Sequence, residues 1–99
     1  MLELENDNLN EILAANEKVF VMFGASWCGA CKMIKPKVKR MAEAEDFPFV
    51  YVDAELMTES RDLGGKLSNL PTFGAFVNGE IIEKQPGTKS IDKVLETLK

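Results

Sequence analysis

Lys18-Val-Phe-Val-Met-Phe-Gly-Ala-Ser-Trp-Cys-Gly-Ala-Cys-Lys32 is the stretch that decides how this chain folds. After its lysine the first half is apolar at every position. That pattern suits a central strand covered by helices on both faces rather than one with a wet side. The second half places Cys28 and Cys31 where a helix is expected to open, running to about Ala44 with Ile34, Val38, Met41 and Ala42 turned inward. Unpaired backbone N–H groups and the macrodipole at a helix start favour negative charge, so Cys28 is expected to supply nucleophilic thiolate. The i, i+3 spacing sets both sulfurs on one side of the first turn, within reach of a reversible disulfide.

Working outward, the rest of the chain alternates short elements. Leu2 and Leu4 alternate with Glu3 and Glu5, as in an edge strand. Asn8 and Glu11 have capping-box spacing ahead of a helix striped by Leu9, Ile12 and Leu13. Phe47 to Asp53 reads as a strand, and Glu55 to Leu67 as a weaker helix ended at Gly64-Gly65. Thr72–Val77 and Glu80–Lys84 flank Asn78-Gly79, which tolerates the positive φ of a type I′ hairpin turn. Past the Pro86-Gly87 break, Ser90 is expected to cap a last helix buried through Ile91, Val94, Leu95 and Leu98. Pro36 should kink the second helix one turn after the cysteines. The order is βαβαβαββα, an α/β sheet with helices on both faces.

Composition narrows the chemistry. The 99 residues fit one domain, residues 1–99, and 45% apolar content is enough for a core without a metal or disulfide frame. Twelve basic against sixteen acidic residues leave a net charge of -4, the wrong sign for neutralising phosphates, so nucleic acid is not an expected ligand. No apolar run approaches the roughly 20 residues of a membrane span. The acidic start lacks a secretory n-region and h-region, and a cytoplasmic location is expected. There is no histidine, which removes Ser-His-Asp and Cys-His catalysis. Two cysteines fall short of a structural zinc site, and no metal is expected. Lys32, Lys35, Lys37, Lys39 and Arg40 read as a solvated helix face, with Lys32 adding a little thiolate stabilisation.

Trp27-Cys-Gly-Ala-Cys-Lys32 after its strand, then Met33-Ile34, Pro36, Leu70-Pro71-Thr72, Asn78-Gly79 and Gly87, together resemble the thioredoxin family over almost the whole chain. The resemblance implies a thioredoxin fold, a central mixed β-sheet flanked by four helices. It makes Cys28 the attacking thiolate, Cys31 the buried resolving thiol and Pro71 a cis proline packed against the pair. Trp27, Gly29, Ala30, Asn69, Leu70 and Gly87 would form, with Pro71, the surface that receives a substrate polypeptide. The implied activity is reduction of disulfides in client proteins by a monomer without a bound cofactor, recharged by a thioredoxin reductase.

Three positions depart from the family pattern. Met22 stands where a buried Asp usually precedes the cysteines, and Tyr51 where a lysine commonly lies near that acid. Losing both together is coherent, because losing one member of a buried charged pair strands the other. Ala30 replaces the usual proline between the cysteines, which bears on the redox potential. A second class of function is a thioredoxin-like binding module or accessory subunit whose flat apolar face docks a larger protein without redox change.

Overall fold

The computed structural model describes residues 1–99. Five strands form one sheet: β1 (Leu2–Glu3), β2 (Lys18–Gly24), β3 (Phe49–Asp53), β4 (Thr72–Val77) and β5 (Glu80–Pro86). Their spatial order is β1-β3-β2-β4-β5, so the apolar stretch that opens the sequence argument is the middle strand. β2 runs parallel to β3 and antiparallel to β4, which makes the sheet mixed. The helices are α1 (Leu9–Ala15), α2 (Gly29–Glu43), α3 (Thr58–Asp62) and α4 (Ile91–Glu96), the last entered through a 3₁₀ turn at Thr88–Ser90.

Alternation along β2 divides the core in two. Phe20 and Met22 join Cys28, Cys31, Val38, Tyr51 and Phe73, with Ile91, Val94, Leu95 and Leu98 closing that layer. Val19, Val21 and Phe23 point the other way, onto Leu9, Leu13, Val50, Val52 and Phe76. A strand buried on both faces can use every side chain for packing, and each fully buried phenylalanine contributes roughly 2–3 kcal/mol. Phe20, Phe23, Phe73 and Phe76 are all in that class.

The expected βαβαβαββα order is the observed one, and the hairpin turn has positive φ at both Asn78 (51°) and Gly79 (84°). Four local expectations need correction. The capping box at Asn8 does not form; the Asn8 side chain makes no cap bond, and the N–H of Leu9 donates instead to Ser60 Oγ at 3.0 Å. A buried hydroxyl brought in from 51 residues away meets that donor, which no local pattern encodes. Ser90 does not cap α4 either, because the preceding 3₁₀ turn carries the chain into the helix; its hydroxyl donates to the Pro86 carbonyl. The helix expected over Glu55 to Leu67 is only Thr58–Asp62, since Asp53 Oδ1 holds the N–H groups of Glu55 and Leu56 in a turn. β3 starts at Phe49, beyond Pro48, which has no N–H to give a ladder. α2 passes through Pro36 as a single helix with that residue on its exposed side.

Candidate active site

The chain leaves β2 at Gly24, crosses Ala25-Ser26-Trp27 and enters α2 at Gly29, with Cys28 as the N-cap residue. This puts the thiol of Cys28 where a capping oxygen usually sits: its Sγ accepts the backbone N–H of Cys31 at 3.2 Å. A helix-start N–H that would otherwise lack a partner is thus spent on sulfur. Both cysteines are free thiols in this structure. Cys28 keeps 7% of its surface exposed and Cys31 only 1%, so the first is the more accessible of two buried sulfurs. Burial pushes the Cys31 thiol up to about 12, helped by its hydrogen bond with Cys28.

On the outward side, Trp27 is 66% exposed, and its indole N–H donates to Glu55 at 2.6 Å. Gly29 and Ala30 are exposed on the first turn of α2. The Leu70-Pro71 bond is cis. Pro71 is buried immediately before β4 and its carbonyl accepts the N–H of Gly87 at 2.8 Å, which ties those two segments together. Asn69 is exposed, and its carbonyl takes the Thr72 hydroxyl at 2.6 Å. Trp27 and Leu70 line one shallow depression with Ala54, Glu55 and Leu67.

On the inward side, Met22 is fully buried and pairs with Tyr51 across the β2–β3 ladder. Gly24 is what lets this region close up. A Cβ there would stand 2.9 Å from the Tyr51 hydroxyl and 3.2 Å from Cys31 Sγ. Lys35 is not part of a purely solvated face: its Nζ lies 3.9 Å from the Tyr51 ring centroid and it pairs with Glu3, which Lys39 also reaches at 3.4 Å. Those lysines hold the Glu3 carboxyl below the usual range, the Lys35 hydrogen bond first. Lys32 is exposed and borders the same cleft as Cys31 and Tyr51.

Glu55, Asp53 and Gly24 escaped the sequence reading. Glu55 lies 28 residues from its tryptophan partner, and Asp53 looks like any acidic strand end. Only Gly24, a glycine closing a continuous apolar strand, carried a signal of close backbone approach.

The thioredoxin family model matches residues 1–99. The chain is 33% identical over 92 residues to thioredoxin of Mycoplasmoides gallisepticum, covering 92% of this chain and 91% of that one. It is 37% identical over 84 residues to thioredoxin H2 of Arabidopsis thaliana, covering 83% of this chain and 62% of that longer relative. The crystal structure of reduced Schistosoma mansoni thioredoxin superposes with a TM-score of 0.82 at 38% identity, over 98% of this chain and 93% of the other. Likeness in sequence and in backbone over nearly the full length, added to two sulfurs already set at a helix mouth for exchange, makes this chain a member of the thioredoxin family and a thiol-disulfide oxidoreductase.

Proposed function

We propose that Cys28 and Cys31 divide the work of reducing client disulfides. Cys28 attacks a client sulfur, and the client disulfide breaks as the mixed disulfide forms. Cys31 then loses its proton and attacks Cys28 Sγ, so that the client leaves as a dithiol and Cys28–Cys31 becomes the disulfide. The observation that carries this order is the N–H of Cys31 held on Cys28 Sγ, with the second thiol deeper and harder to ionise.

Trp27, Gly29, Ala30, Asn69, Leu70, Pro71 and Gly87 form the client surface in this reading, with Lys32, Met22 and Tyr51 as supporting residues. Exposure of Trp27 beside the half-buried Leu70 supports it. The protein works as one domain and as a monomer, needs no bound cofactor or metal, and takes electrons from a thioredoxin reductase. A net charge of -4 argues against nucleic acid. No helix is long and apolar enough to cross a membrane. A cytoplasmic setting suits a lone pair of cysteines that serves exchange rather than a structural disulfide frame.

Reduction of insulin with a recycling dithiol tests the division of labour. Cys28→Ser abolishes turnover, while Cys31→Ser accumulates mixed disulfides; undiminished turnover in Cys28→Ser overturns the assignment. A Cys28→Ser, Cys31→Ser double variant that still complements loss of the protein in its cell would speak instead for a binding module.

A further inference from the structure

We propose that Tyr51 and Asp53, facing Cys31 across the cleft behind it, carry away the proton of the resolving thiol. The proposal rests on the resolving role given to Cys31 above. Members of such a pair must lose a proton from the second sulfur before it can attack, and in this chain β2 offers nothing to take it: Met22 is fully buried and has no titratable group. The cleft does. It has a volume of about 390 Å³ and is lined by Cys31, Tyr51, Asp53, Glu3, Lys32 and Lys35, so the buried sulfur borders a cleft with polar and charged walls.

Within the cleft the phenol lies close to the sulfur. Its oxygen and Cys31 Sγ both crowd the bare α-carbon of Gly24, at 2.9 and 3.2 Å from the position a Cβ would take. Asp53 shares β3 with it and borders the same space. Both backbone N–H groups that Asp53 accepts fall on Oδ1, at 2.9 and 3.1 Å, which fixes the carboxylate. Other titratable groups face Tyr51 from the neighbouring elements: Glu3 from β1, Cys31, Lys32 and Lys35 from α2, and Cys28 from the N-cap of α2. Glu3 is committed to Lys35 and Lys39 and makes a poorer acceptor. The Lys35 ammonium over the ring favours negative charge developing beneath it. Burial first, then the charge of Asp53, pushes the phenol to about 12, so Tyr51 enters the step neutral and works as a relay.

In that step the Cys31 thiol passes its proton to the phenolic oxygen as the phenol passes its own to the Asp53 carboxylate, with cleft water bridging the gaps. The freed sulfur pair forms the bond to Cys28 Sγ. The mixed disulfide breaks, its electron pair leaves on the client sulfur, and Asp53 returns the proton to solvent.

A symmetrical nitrobenzoate disulfide reagent separates the two sulfurs in stopped flow, because Cys28 attack and Cys31 resolution each release one coloured thiolate. Tyr51→Phe and Asp53→Asn are expected to leave the first release unchanged and to slow the second about tenfold at neutral pH, since water replaces part of a general base. The deficit should shrink as pH rises and hydroxide takes over, and the double variant should be no slower than the slower single one. Asp53→Asn keeps the Oδ1 acceptor of the turn and guards against a folding artefact. A second release unchanged in both variants, or slowed by one factor at every pH, overturns the relay. Loss of the two-step release in the unaltered protein would instead count against the division of labour between the cysteines.

Discussion

The two faces of β2 are built from the same strand and serve opposite ends. Phe20 and Met22 look onto a layer that holds both thiols and the Tyr51 phenol, covered by α2 and α4. Val19, Val21 and Phe23 look onto a layer with no ionisable side chain, covered by α1. The second face is secured at its rim by a reciprocal clasp: Asp7 accepts the N–H groups of Glu59 and Ser60 at 2.9 and 2.7 Å, and Ser60 Oγ accepts the N–H of Leu9. Each helix start is thus capped by a residue from near the other. The reactive face carries polar and sulfur atoms in its core, while the opposite face supplies ordinary packing and helix capping. Damage to one should be separable from damage to the other.

The strongest way to break that separation is to put a charge on the reactive face. Met22→Asp buries a carboxylate opposite Tyr51, with no positive partner on the adjacent strands. It should lower stability by about 3–5 kcal/mol at neutral pH, read as a fall in the denaturant midpoint. The same change restores a proton acceptor near Cys31, so the resolving step should quicken, and more so in a Tyr51→Phe background. An unchanged midpoint together with an unchanged rate would show that position 22 is neither isolated from water nor linked to the chemistry.

Ser60→Ala probes the opposite face. It leaves the buried N–H of Leu9 without an acceptor and should cost about 2 kcal/mol. Disulfide turnover per folded molecule should not change, and a loss of turnover beyond the loss of folded protein would erase the distinction between the faces.

The smallest effect belongs to Asp7. The Ser60 hydroxyl, followed by the backbone N–H groups of Glu59 and Ser60, holds its carboxyl below the ordinary range. A carboxyl lowered in the folded state stabilises the fold above its unfolded pKa, and this contribution fades as pH falls through the folded value. Asp7→Asn should therefore be less stable than the parent at neutral pH, with the gap narrowing in acid below about pH 4. A gap that is the same in acid and at neutrality would mean that the clasp does not depend on charge.

Sequence alone was sufficient for much of what depends on neighbours along the chain, though not for the caps expected at Asn8 and Ser90 or for the bounds of α3. The apolar run from Val19 to Phe23 specified a two-faced central strand, because every side chain there gains by leaving water. Asn78-Gly79 specified the hairpin through φ, and Cys28 with Cys31 specified a redox pair through helix spacing. The partners drawn from far away came from the packing of the folded chain: Ser60 at the start of α1, Glu55 on Trp27, and Tyr51, Asp53 and Lys35 behind Cys31. Local periodicity states that a residue is inside or outside. It does not state which polar atom will meet which, since that follows from strand register and from how closely the glycine at position 24 lets two elements approach.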